Sequence, residues 1–199
     1  MELKSGLQLM KNTLLAQFLK KPMTTGAVCA SSEELARMLV AGIGLDHSSY
    51  VAELGPGTGA VTGTILRSMP EKSRFFAVEL NADVISAFRE KFPEVTVYNE
   101  SAANLPELLS RENIAALDAV ISGLPWAIFP DQLQDDILSA IVKSLHPGGY
   151  FTTFAYVQGV LLPSGKRFRD RLSRIFSNVE KSPVVWKNFP PAFVYRCQK

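Results

Sequence analysis

Residues 51–59 read Val51-Ala52-Glu53-Leu54-Gly55-Pro56-Gly57-Thr58-Gly59. This stretch limits the fold more than any other in the chain. A short apolar run with strand character feeds three glycines at alternate positions, and a helical pattern follows. Glycine is the residue that admits positive φ and lets a backbone approach another group without an intervening Cβ. A strand, a glycine loop and a helix in that order begin a βαβ unit, whose ligand lies at the carboxyl ends of the strands.

The chain after residue 50 repeats this alternation. Tyr50–Leu54, Arg74–Glu79, Val95–Asn99, Asp118–Ser122 and Tyr150–Tyr156 have strand character, and helices are expected over Thr58–Met69, Ala82–Phe92 and Asp131–Leu145. Alternating elements imply right-handed crossovers and a mostly parallel sheet. A last helix is expected near 167–176. Two strand-like runs, Val179–Trp186 and Phe193–Cys197, then form an antiparallel pair at the sheet's end. At the other end of the chain, residues 5–20 read as a helix, and Ser31-Ser32 with Glu34 caps a second helix through Ala41. The 199 residues, 47% hydrophobic, suit one domain over 1–199, with residues 1–49 as a helical cap or membrane-contact segment.

Composition removes some functions. A net charge of +2 does not suit a generally basic nucleic-acid binder, so no DNA partner is expected and RNA is disfavoured. Two histidines and two cysteines, Cys29 and Cys197, offer no zinc-ligand spacing, and no metal is expected. With no signal-like start and no apolar run long enough to span a bilayer, the thiols read as reduced and the protein as cytoplasmic.

The second strand ends in Glu79, twenty residues after Gly59. A carboxylate there accepts both hydroxyl protons of an adenosine ribose. With Ala60 the loop also satisfies the dinucleotide pattern G-x-G-x-x-G/A. Glu53 argues against that ligand, because a carboxylate before the loop repels a pyrophosphate. It suits a cofactor carrying an ammonium and a sulfonium, as S-adenosylmethionine does. The competing view is that Gly55, Gly57 and Gly59 only make a tight turn.

The loop Glu53–Gly59 resembles the first motif of class I methyltransferases, above all the branch holding rRNA adenine dimethylases and bacterial phosphatidylethanolamine N-methyltransferases. Ala77-Val78-Glu79-Leu80-Asn81, Ser122-Gly123-Leu124-Pro125-Trp126 and Leu145-His146-Pro147-Gly148-Gly149 follow in matching order. Two more stretches resemble the phospholipid enzymes in particular. One is Phe18–Pro22 with Thr25-Gly26-Ala27-Val28 and Ser31-Ser32; the other is Trp186-Lys187-Asn188-Phe189-Pro190-Pro191-Ala192-Phe193-Val194-Tyr195. The resemblance implies a Rossmann-like, doubly wound α/β fold with a seven-stranded, mostly parallel sheet and an antiparallel last strand. It also implies S-adenosylmethionine as donor and S-adenosylhomocysteine as product. By position, the resemblance sets Gly55, Gly57 and Gly59 against the methionine portion, joined from the N-terminal side by Thr25 and Gly26. It sets Glu79 at the ribose and Glu100, with Ser101 and Ala102, at the adenine; Glu53, Leu80, Ser122 and Gly123 complete the expected cofactor-binding residues.

On the acceptor side, adenine N6-methyltransferases resemble one another in an Asn or Asp ahead of Pro and an aromatic, which holds the target amine while the ring stacks on the flipped base. Here that position is Gly123. The open site suits a lipid headgroup, with Leu124, Pro125, Trp126 and Tyr195 as substrate-binding residues. Trp126 and Tyr156 are the catalytic candidates, set around the cation that N-methylation of phosphatidylethanolamine toward phosphatidylcholine creates. The structural alternative for each ring is ordinary packing. Leu3, Leu7, Met10, Leu14 and Phe18 with Lys4, Lys11, Lys20 and Lys21 form an amphipathic face suited to an anionic membrane, so the protein is expected to be peripheral on the membrane's inner face. Arg167, Arg171 and Arg174 share a helix face that binds lipid phosphate or is simply solvated. RNA adenine N6-methylation, methylation of a small amine and a non-enzymatic binding module remain alternatives, and the sequence leaves the oligomeric state open.

Overall fold

A computed structural model of the chain describes residues 32–160 and 162–199. The expected helix over 5–20, its lysines, Cys29, Thr25 and Gly26 lie outside the described residues. The first helix, α1 (Glu33–Val40), begins where the sequence predicts, with the Ser32 hydroxyl accepting from the Leu35 N–H at 3.2 Å. Seven strands follow: β1 (Tyr50–Leu54), β2 (Arg74–Val78), β3 (Thr96–Tyr98), β4 (Leu117–Ser122), β5 (Leu145–Tyr156), β6 (Asn178–Lys181) and β7 (Ala192–Gln198). Between them lie α2 (Thr62–Ser68), α3 (Ala82–Lys91), α4 (Leu105–Arg111), α5 (Asp131–Ser144), the single turn α6 (Val157–Val160) and α7 (Pro163–Ile175).

The sheet order is β3-β2-β1-β4-β5-β7-β6. The β1–β5 pairs are parallel; β7 runs antiparallel to both β5 and β6. The sheet is thus mostly parallel, as the alternation predicts, and doubly wound and seven-stranded with the last strand reversed, as the resemblance implies. The order reverses between β1 and β4, which opens a crevice at their carboxyl ends.

Strand alternation divides the core. Ala52, Leu54, Val120 and Phe151 pack one face under α4, α5 and α7; Val51, Ala119, Ile121 and Val194 pack the other under α1 and α2. Buried on both sides, the central strands read as near-continuous apolar runs.

Four departures from the sequence have physical causes. The helix expected from Thr58 starts at Thr62, because Gly55, Gly57 and Gly59 all hold left-handed φ, which a right-handed helix does not admit. The stretch left between β3 and β4 contains α4, a short helix with Pro106 in its first turn and Leu105, Leu108 and Leu109 buried. The run expected over Val179–Trp186 stops at Lys181, ahead of Pro183, and resumes only as a bridge between Val185 and Ala192. The basic face expected on the last helix is not wholly solvated. The Arg171 guanidinium is buried: it donates to Gln134 Oε1 at 2.9 Å and sits 2.5 Å from Asp135 and 3.4 Å from Asp131. Arg167 pairs with the same Asp131 at 3.8 Å, and Arg174 donates to the Asp170 carbonyl. Arg171 therefore fastens α7 to α5 and is not available to a lipid phosphate.

Gln134 extends that contact to the loop after β4. Its buried amide donates to the carbonyls of Trp126 at 2.9 Å and Phe129 at 3.0 Å. Replacing it with Leu strips the carbonyls of that donor and Arg171 of one of its acceptors. Gln134→Leu should lower stability by about 1–3 kcal/mol in urea unfolding, the usual cost of unsatisfied buried groups.

Candidate active site

The loop after β1 is built by backbone contacts with both neighbouring strands. The Gly55 N–H donates to the Val78 carbonyl at 2.9 Å, and the Gly123 N–H to the Leu54 carbonyl at 2.9 Å. Gly57 combines positive φ with open space where a Cβ would point, so this backbone faces the crevice uncovered.

Two carboxylates flank it. Glu53 is only 1% exposed and accepts from the Thr62 hydroxyl at 2.6 Å. Burial pushes its carboxyl up to about 7, against the pull of the Thr62 hydrogen bond, and the charge of Glu79 adds to the rise. Glu79, also buried, accepts from the Gly57 N–H at 3.2 Å through one oxygen and from the Asn81 N–H at 2.9 Å through the other. Burial raises its carboxyl too, opposed by those backbone donors. Among the described residues no ammonium or guanidinium pairs with either acid. A buried acid without a cation is costly, and a cationic ligand that donates hydrogen bonds relieves that cost. The two acids and the uncovered Gly57 backbone thus fit S-adenosylmethionine and disfavour a pyrophosphate.

The adenine-side residues are set at the next strand end. The Asn99 amide donates to the Glu79 and Leu80 carbonyls at 3.0 and 2.9 Å, tying β3 to β2. Ser101 is buried and its hydroxyl caps Ala103, Ala102 is buried beside it, and Glu100 pairs with Arg111. Thr62 and Asn99 were missed by sequence reasoning. The signal for Thr62 was a hydroxyl at the start of the helix facing a buried strand acid; for Asn99 it was a polar residue closing the third strand.

On the acceptor side, buried Ser122 organises the loop. Its hydroxyl accepts from the Leu124 N–H and the Trp126 indole N–H, each at 3.2 Å, while Thr153 donates to its carbonyl. A Cβ on Gly123 would lie 2.6 Å from the Gly55 carbonyl oxygen, so a side chain there requires the backbone to shift. Leu124 is buried, with its side chain packed over Gly55, and Pro125 is half-buried.

The aromatic candidates are not brought together. Trp126 is 3% exposed, stacks on Phe168 at 5.0 Å and meets Phe129 and Phe151 edge-on. Tyr195 is buried on the same side of the sheet, 5.0 Å from Phe193. Tyr156 is half-buried at the carboxyl end of β5 and packs on the opposite face, edge-on to Phe154. Trp126 and Tyr156 do not surround one cation in this arrangement. The two buried rings are packing residues, because the strands carrying or adjoining them turn those positions toward α5 and α7.

Residues 51–149 match the family model described as a methyltransferase domain. The fold, the loop and the paired acids agree with it. The chain is a class I, S-adenosylmethionine-dependent methyltransferase. It is 29% identical over 187 residues to the ornithine lipid N-methyltransferase of Singulisphaera acidiphila, covering 92% of this chain and 93% of that protein. It is 31% identical over 111 residues to the ribosomal RNA small subunit methyltransferase A of Hydrogenobaculum sp., covering 56% of this chain but only 41% of that one. Among solved structures it shares the fold of the Bacillus cereus O-methyltransferase in complex with SAH, with a TM-score of 0.67 at 14% identity over 96% of this chain and 90% of that one.

The raised Glu53 acid links cofactor binding to protons. A cationic ligand favours the carboxylate, so affinity for S-adenosylmethionine should climb as pH rises toward about 7 and level off above it. Without ligand the sign for folding is opposite: stability from the held proton is lost as pH rises through about 7. Calorimetric titrations between pH 5.5 and 8.5 should show proton release on binding in the native enzyme and a weaker, flatter response in Glu53→Gln.

Proposed function

We propose that the enzyme N-methylates the amine of a lipid headgroup, with phosphatidylethanolamine as the acceptor and phosphatidylcholine as the end of the series. The observation that carries this reading is the end-to-end relation to a lipid N-methyltransferase, set against a ribosomal RNA relative that matches about half of this chain. The site adds a physical reason. The Gly55 carbonyl stands where a side chain at 123 would begin, so the loop after β4 carries no polar group at that position to grip an adenine amine.

When bound, S-adenosylmethionine supplies an activated methyl group on a sulfonium. The protein's part is placement. Glu53 would hold the ligand's cationic end and Glu79 its ribose hydroxyls. The Gly57 backbone permits close approach, and the rigid Ser122–Pro125 turn sets the rim at which an amine arrives. Methyl transfer depends chiefly on alignment of acceptor nitrogen, methyl and sulfur, and a fixed rim serves that end. The acceptor ammonium must first give a proton to water, which frees the nitrogen lone pair that attacks. Among the described residues no helix is long and apolar enough to cross a membrane.

Purified protein, labelled S-adenosylmethionine and detergent-dispersed acceptors test this directly. Labelled phosphatidylethanolamine products are expected. Label entering only ornithine lipid would keep lipid N-methylation and change the acceptor; label entering only RNA or a small amine would reject the proposal. Glu79→Ala should weaken cofactor affinity by about 1–3 kcal/mol through loss of charge-assisted hydrogen bonds. Fluorescence or calorimetric titration of that variant provides the check.

A further inference from the structure

Four of the exposed large apolar side chains project from one edge of the sheet. Ile128 follows the carboxyl end of β4, and Leu162 follows the carboxyl end of β5. Trp186 and Phe189 stand on the loop that enters β7 at the same edge, since Tyr156 at the end of β5 pairs with Ala192 at the start of β7. Trp186 is 74% exposed and Phe189 81% exposed, unusual for such large rings on a monomer's surface. The loop's backbone is nonetheless held. The buried Asn188 side chain accepts from the Ser32 N–H at 3.0 Å and donates to the Pro190 carbonyl at 2.7 Å, and the Val157 N–H donates to the Pro191 carbonyl at 2.9 Å.

This is a fixed loop that presents two rings outward. Between the rings lies Lys187, whose side chain is 86% exposed and meets Glu34 only at 3.8 Å, a surface pair of little worth. Lys166 is exposed near Leu162, while the neighbouring Arg167 shares Asp131 with Arg171. Aromatic rings and lysines side by side match the chemistry of a bilayer interface: rings settle at headgroup depth, and ammonium groups meet lipid phosphates. The glycine loop follows β1, three strand positions from β7, so a surface docked on this loop lies roughly 15 Å from the cofactor crevice, at about 4.8 Å per strand.

We infer that the loop 186–189 is a lipid-surface anchor that seats the active-site edge of the enzyme, where Leu162 and Ile128 are also exposed, on an anionic bilayer. The inference rests on the lipid-acceptor reading, but its test is separate. The chain contains two tryptophans, and Trp126 is buried, so a change of Trp emission at a membrane reports Trp186. Full-length protein is mixed with phosphatidylethanolamine/phosphatidylglycerol vesicles, with and without brominated acyl chains.

A blue shift and bromine quenching are expected, both absent from Trp186→Phe. The exposed double variant W186A/F189A should lose vesicle partition by about tenfold or more, the order expected for withdrawing two rings from an interface. Its melting temperature, cofactor affinity and methylation of detergent-dispersed lipid should be unchanged. Native vesicle binding in the double variant, or binding that leaves Trp186 emission unaltered, would overturn the anchor. So would a Trp186 already shielded from acrylamide without vesicles, which means that another segment or a second copy covers the loop. If detergent-dispersed lipid is never methylated, the acceptor reading fails instead, whatever the vesicles show.

Discussion

A carboxylic acid buried in the middle of a sheet is expensive, and the arrangement around Glu53 is organised by that cost. The residue sits on β1, flanked by β2 and β4, where water does not reach it. One hydroxyl, from Thr62, comes to it from the helix that follows the glycine loop. The three left-handed glycines postpone that helix until Thr62, which places the hydroxyl over the acid. Glu79 has a similar problem at the end of β2 and meets it with backbone donors from Gly57 and Asn81. The protein thus leaves two acids under-neutralised beside an open backbone. A cationic ligand in the crevice would relieve that imbalance.

Each strand end in the crevice is held by a neighbour rather than by its own loop alone. Asn99 clamps the end of β2 from β3, and Thr153 clamps the end of β4 from β5. Gln134 and Arg171 lock the loop after β4 to α5 and α7, beneath an aromatic stack that includes Trp126 and Phe168. Side chains that look chemical in a linear sequence therefore serve as braces. Bracing matters for a reaction governed by alignment, because a loose rim misplaces the acceptor.

The sheet was legible in the sequence because its strands are short apolar runs separated by helical periods. The glycine loop and its two acids were legible because close approach and charge leave few other residue choices. The side of the sheet on which a residue faces was harder to read. Arg171 looked like one of three basic residues on a solvated or lipid-facing helix, yet Asp131, Asp135 and Gln134 on a helix some forty positions earlier enclose it. Spacing gives a helix its faces but does not say which face another element will cover. Trp126 and Tyr156 failed in the same way: each belongs near the carboxyl edge, but they pack on opposite faces of the sheet. Asn99 and Thr62 escaped notice because their partners are two backbone carbonyls on the neighbouring strand's end and a strand acid on the far side of the glycine loop.

Gly123 carries the distinction between a base-binding and a headgroup-binding site furthest. Its N–H is committed to the Leu54 carbonyl, and the position of its missing Cβ falls on the Gly55 carbonyl oxygen. A polar side chain at this point would have to displace the glycine loop after β1. The turn therefore keeps its tight contact with β1 and forgoes a side-chain grip on a planar amine. A flipped base needs that grip, because unstacking must be repaid by contacts to the base edge. A headgroup amine on a flexible lipid has no stacking to give up. On the proposed reading it is delivered by the surface on which the lipid resides, and the protein has only to hold the rim still and keep the two acids at the crevice.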